Sequence, residues 1–180
     1  MKKVVSSILF SPVLLSSYVI AADISGSKSP VSLNTNENSG IIISSGQERK
    51  TTQTPVAHFT GRVFLDPLFL NLASPQRLSG SMVTFEPGAR TDWHTHPVGQ
   101  TLYITSGNGW VQEWGKAKIS VKAGDVVNFL PGVKHWHGAT MDSMMSHIAV
   151  QEKNDQGQNV DWLEKVTELQ YTQKLSQGEK

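Results

Sequence analysis

Cysteine is absent from the 180 residues, which excludes disulfides, thiolate chemistry and a lipid-modified cysteine at the amino terminus. A surplus of one charge is also missing: 16 basic residues face 15 acidic ones, so neither nucleic acid nor another polyanion is implied as a partner. No internal repeat is visible, and the length suits one well-buried domain rather than two. The apolar stretch from Val4 to Ile20 is interrupted by Ser6, Ser7, Ser11, Pro12, Ser16 and Ser17, which argues against a retained membrane span.

Residues 1 to 22 instead have the layout of a secretory leader. Lys2 and Lys3 form the charged start, the apolar run follows, and Ala21 and Ala22 supply the small residues of a cleavage site. Its removal takes away two of the 16 basic residues and leaves 14 against 15 acidic ones. The expected location is exported, periplasmic or secreted, with no membrane anchor after cleavage. An exported chain without disulfides must be held together by its core, which suits a closed β-structure.

Residues 23 to 54 are rich in Ser, Asn, Thr and Gly and read as a polar, flexible linker. Its apolar island, Ile41 to Ile43, is a candidate edge strand, for this barrel or for a neighbouring subunit. From about residue 55 the texture changes to short apolar runs separated by Gly, Pro, Asn and Asp, the spacing of an all-β sandwich or barrel. Strands are predicted near 62–65, 81–86, 100–105, 109–114, 118–122, 125–130, 135–141 and 144–151. Turns are predicted at Asp66-Pro67, Glu86 to Gly88, Ser106 to Gly109 and Pro131-Gly132. The expected domain covers 55–155. Residues 156–180 form a short helix and tail, with Asp161 and Glu164 as a capping box and Trp162, Val166 and Leu169 at helical spacing.

Two histidine pairs punctuate this domain. His94 and His96 are one residue apart, as are His135 and His137, and on extended chain each pair points to one face, so the imidazoles can converge on one ion. The same parity places Leu102 and Ile104 beside Gln100, Ala139 beside His137, and His147 with Ala149 and Gln151. Ser81, Val83 and Phe85 share another inward face. A pocket of mixed polar and aliphatic character results, suited to a small, partly apolar ligand. A lone histidine is usually structural, and His58 takes that reading. The five tryptophans, Trp93, Trp110, Trp114, Trp136 and Trp162, offer no spaced platform and read as core and rim packing.

Gly88, His94, His96, Gln100 and Gly107, followed by Gly124, Pro131, Gly132 and His135, resemble the two signature motifs of the cupin family. The resemblance implies a double-stranded β-helix, or jelly-roll barrel. A further set of motifs narrows it: Phe59 to Gly61, Asp66 to Phe69, Val83 to Thr91, Trp93 to Pro97, Gly99 to Leu102, His135 to Ala139 and Val160 to Trp162. Together these are similar to the small bacterial cupins that include manganese-dependent hydroxynitrile lyases, over roughly residues 55–171.

The resemblance implies one divalent transition metal, manganese first, on His94, His96, Gln100 and His135. Gln100 stands where most metal-binding cupins have Glu, and its carboxamide oxygen can ligate without adding charge. The ligand types alone suit Mn, Fe, Ni, Co or Zn. By position, Thr91, His137, His147 and Gln151 match polar groups near the substrate. His137 either only orients a metal ligand or, with its titration range near neutrality, is the candidate for moving protons beside the metal, while for His147 and Gln151 chemistry and simple pocket lining both stand open. The implied activity is a lyase acting on cyanohydrins, with an iron or manganese dioxygenase and a non-enzymatic binding module as alternatives. Self-association as a dimer or tetramer is expected on the resemblance.

Overall fold

A computed structural model of the chain describes residues 34–35, 40–70 and 72–173. The leader and most of the polar segment up to residue 39 lie outside the described residues. In chain order the strands are β1 (Asn34–Thr35), β2 (Ile42–Ile43), β3 (Thr52–Gln53), β4 (Phe59–Thr60), β5 (Val63–Phe69), β6 (Leu78–Phe85), β7 (Arg90–Thr91), β8 (His94–Thr95), β9 (Gln100–Glu113), β10 (Ile119–Lys122), β11 (Val126–Phe129), β12 (His135–Ala139), β13 (Met145–Glu152) and β14 (Asp161–Trp162), before one short helix, α1 (Glu168–Thr172). The apolar island pairs with Asn34–Thr35 as an isolated ribbon rather than with the barrel.

All other pairings belong to one curled antiparallel sheet, ordered β14-β8-β12-β9-β13-β6-β5-β3, with β10 and β11 on β9 and β4 and β7 reached through β12. β9 is the spine. Its first half runs between β11 and β13, its second between β10 and β12. The switch falls at Ser106 to Gly109, where a turn is expected from composition. Instead the strand continues and bends, because Gly107 takes φ 74° and lets the backbone pass against Met144; a Cβ there would lie 1.9 Å from the Met144 carbonyl oxygen.

The expected turn at Asp66-Pro67 is also absent, for both residues lie inside β5. β3 covers only Phe64 and Leu65 of that edge, so Pro67, beyond its reach, costs no ladder bond there.

The inward parity is as expected. Gln100, Leu102 and Ile104 are buried and Tyr103 between them is half exposed. The main core gathers Val63, Val83, Phe85, Leu102, Ile104, Val111 and Met145 inside the curl. Burying each large aliphatic side chain here contributes about 1.5–3 kcal/mol.

A second cluster, Trp93, Trp136, Val166 and Tyr171, seats the C-terminal segment against the outside of the sheet. The Tyr171 hydroxyl donates to the Ala139 carbonyl at 2.8 Å, and the Arg90 guanidinium lies 4.3 Å over the Tyr171 ring. The helix starts later than the expected Asp161–Glu164 box. Thr167 is its cap, with Gln170 closing the reciprocal bond, and Leu169 is exposed. Asp161 and Trp162 are held extended because β8 offers them an open ladder edge, Trp162 opposite His94. Tertiary pairing overrides the local helical pattern.

Candidate metal centre and proton-transfer pair

Six polar side chains come together at one end of the curl. His94 is on β8, His96 just beyond it, Gln100 opens β9, His135 and His137 alternate on β12, and His147 faces them from β13. All six are buried. The ring centroids of His94 and His135 are 4.3 Å apart, and His96 lies 5.2 Å from His94 and 5.7 Å from His135. The cross-strand partner of His94 is His135 itself, so two ligating residue types are fixed by a single ladder step.

Backbone carbonyls decide which nitrogen of three rings is free. The Nδ1 of His94 meets the Asp92 carbonyl at 2.9 Å, that of His135 meets the Val133 carbonyl at 2.8 Å, and that of His96 meets the Asn159 carbonyl. Each contact places the ring proton on Nδ1 and leaves Nε2 as a lone pair. His96 Nε2 has no hydrogen-bond partner despite its burial, a costly state for a polar atom unless something else satisfies it.

His135 carries the sharper version of this problem. Its Nδ1 faces one oxygen and its Nε2 faces another, Gln100 Oε1 at 3.2 Å. A neutral imidazole has a single proton for two acceptors. Protonating both nitrogens is disfavoured, since burial pushes this imidazole down to about 4. Turning the Gln100 amide to present its NH2, or a cation bound by Nε2 and Oε1, removes the conflict. The donor set, neutral nitrogens and an amide oxygen, therefore fits a divalent transition metal. His94 is held well below its ordinary range, by burial first and by His135 next, and His96 is lowered mainly by burial. All stay in the deprotonated form that ligation needs.

His137 is differently placed. Its Nδ1 lies 3.3 Å from His147 Nε2, not against a carbonyl, while its own Nε2 and His147 Nδ1 are buried without partners. Among the described residues, His94, His135 and His137 form the histidine group whose ligand atoms lie within 4.8 Å of one another, so His137 borders the same point in space. The Thr91 hydroxyl accepts the His137 backbone N–H at 3.2 Å and so anchors that strand rather than pointing free into the pocket. Gln151 sits beside Gln100 in the ladder, and its Oε1 is buried and unpartnered.

Three aromatic groups shape the site, of which only Phe85 is read as inward-facing from sequence. Phe129 stacks on His135 at 3.6 Å, and Phe85 packs against His137 and His147. Trp162 lies 4.9 Å from His94 and stacks on His58 at 4.7 Å, so His58 is structural in the sense expected while Trp162 walls the site. The Asn159 carbonyl has no signature in sequence, because every residue carries a carbonyl. Asp92, by contrast, turns its carboxylate away to Lys165 at 3.2 Å.

Comparison with known proteins agrees with the fold that carries this site. The family model described as a cupin domain matches residues 81–150. The chain is 55% identical over 117 residues, covering 65% of it and 88% of the relative, to a protein named (R)-mandelonitrile lyase from Granulicella tundricola. Among solved structures, a cupin-like protein from Thermotoga maritima superposes with a TM-score of 0.64 at 39% identity, over 71% of this chain and 95% of that one. A cupin-2 domain protein from Rhodospirillum rubrum gives 0.52 at 17% identity, over 68% and 78%, a likeness of fold. The double histidine pairs, the spine strand bent at Gly107 and these matches place the chain in the cupin family, as a small cupin resembling the hydroxynitrile lyases.

Proposed function

We propose that this cupin is a metal-dependent lyase that reversibly cleaves a cyanohydrin to an aldehyde and hydrogen cyanide, with aromatic cyanohydrins such as (R)-mandelonitrile as the substrate class. His94, His96, Gln100 and His135 would hold the ion, manganese first among the candidates. When bound there, such an ion supplies Lewis-acid chemistry that stabilises negative charge on oxygen or cyanide. The observation that carries the proposal is the adjacency of two kinds of imidazole. Three have Nδ1 tied to carbonyls and a lone pair turned inward, and beside them sits a His137–His147 pair with unpartnered nitrogens at both ends. The 55% identity to an (R)-mandelonitrile lyase supports this choice of reaction.

His137 is the proton carrier. Burial, and then the neighbouring His147, hold it well below its ordinary range, so near neutral pH it is the base form. With Nδ1–H donated to His147 Nε2, His137 Nε2 is a lone pair able to take the cyanohydrin hydroxyl proton. The carbon–carbon bond then breaks with its electron pair leaving on cyanide, the oxygen becomes the aldehyde carbonyl, and the same proton returns from His137 to give HCN. His147 shares the transient charge across the 3.3 Å contact. Gln151 offers an acceptor to orient the substrate, and Thr91 keeps His137 in place through its backbone. Phe85, packed against His137 and His147, gives this side of the site an apolar surface suited to an aromatic substrate.

Replacing His137 by Ala should lower mandelonitrile cleavage by about 10²–10⁴-fold while metal content, read by elemental analysis, stays at the wild-type level. Unchanged turnover removes His137 from the mechanism. Oxygen consumption with a catechol or diketone, and no cyanide release by the wild type, replaces the lyase reading with the dioxygenase one.

A further inference from the structure

Two of the three carbonyl-held imidazoles are oriented by a carbonyl just ahead of their own strand. Asp92 and Val133 each lie two residues before the histidine they hold. His96 differs. It sits past the end of β8, outside any ladder, and its Nδ1 partner is 63 residues away in the connection between β13 and β14. That connection has no regular secondary structure from Lys153 to Val160, so something must fix the carbonyl to within the tolerance a ligating ring demands.

We propose that Asn159 is a positioning residue for His96, acting through a hydrogen-bonded chain that clips the β13–β14 connection to the barrel. Its side-chain Nδ2 donates to Ser79 Oγ at 3.2 Å, and Ser79 Oγ donates onward to the Gln151 carbonyl at 3.3 Å. Ser79 is almost fully buried on β6, a rigid strand paired along its whole length with β13. The amide of Asn159 thus ties the loop to β6, and its carbonyl, on the same residue, reaches the imidazole.

The rest of the loop is braced against the same part of the barrel. Asn154 Oδ1 accepts the backbone N–H groups of Gln156 and Gln158 at 3.0 and 2.9 Å. Arg77, two residues before Ser79, pairs with Glu152 at 2.8 Å and with Asp155. One end of the loop is therefore clipped at Arg77 and the other at Ser79. Only the second clip bears on His96 directly.

This inference rests on His96 being a ligand. Its test is the affinity of the metal-free full chain for Mn²⁺, measured alongside the melting temperature of the metal-free form. Asn159→Ala and Ser79→Ala should each weaken Mn²⁺ binding about 10–100-fold, and the double variant should lose no more than the worse single one, because both break the same chain. Loss of the clip should lower the melting temperature of the metal-free form by at most a few degrees, and a purely structural role would show that fall with Mn²⁺ affinity unchanged.

His96→Ala serves as the reference. If it binds far more weakly while Asn159→Ala and Ser79→Ala stay within twofold of wild type, the positioning role is overturned and the ligand set stands. A wild type that binds no Mn²⁺, or a His96→Ala that binds as tightly as wild type, overturns the ligand set and the positioning role with it. Should Asn159→Ala fail to fold, Ser79→Ala alone decides.

Discussion

An imidazole held neutral by its surroundings has one proton and one lone pair, and this site is organised by which nitrogen holds which. The carbonyls of Asp92, Val133 and Asn159 settle the matter for three rings, while the His137–His147 contact joins the other two through one shared proton that either ring can donate. Burial pushes His147 down to about 3, far below the value near 6.5 of an exposed histidine. The unfolded chain therefore binds a proton at this residue below pH 6.5 while the folded chain does not. Its contribution to stability is complete above that pH and is lost as pH falls from 6.5 toward 3. For the metal-free protein, urea unfolding at pH 7, 6 and 5 should show stability falling with pH, and His147→Gln should lessen that slope by about 1 kcal/mol per pH unit below 6.5. Equal slopes in the two proteins contradict the burial of a neutral His147.

At the scale of elements, the bend in β9 carries the site. Its first half presents Gln100 inward and its second half pairs with the strand that holds His135 and His137, so the corner at Gly107 sets the distance between amide and imidazoles. Gly107→Ala combines a left-handed φ with a Cβ placed 1.9 Å from a backbone oxygen. It should cost more than the ~1 kcal/mol of an ordinary Gly-to-Ala strain and lower the thermal midpoint by several degrees, checked by calorimetry. A midpoint unchanged within a degree would mean the corner does not constrain the strand. The parity of β6, β9, β12 and β13 was legible from sequence, because a period of two survives any error in strand ends. The turn expected at Ser106 to Gly109 and the one at Asp66-Pro67 were not, since the residues that break strands also bend them or sit on their edges. The helix start was misplaced for a related reason: Asp161 and Trp162 satisfy a helical pattern locally and a β-ladder globally, and the open edge of β8 wins.

For the whole molecule, the fold and the inward-facing polar groups followed from two histidine pairs and a run of glycine-punctuated strands, and the cupin comparisons agree with the fold. What sequence did not disclose is the part played by backbone: the Asn159 carbonyl reaches His96 from a distant connection, and no side-chain pattern marks it. Distance alone groups His94, His135 and His137 within 4.8 Å, whereas the pattern of carbonyl contacts favours His96 as the ligand and His137 as the base. An anomalous-scattering map from a crystal of the Mn²⁺-loaded protein separates the two. The expected result is one strong peak per chain within about 2.0–2.3 Å of the Nε2 atoms of His94, His96 and His135 and of Gln100 Oε1, with His137 outside bonding distance. A peak bonded to His137 in place of His96, or no peak among these residues, would contradict it.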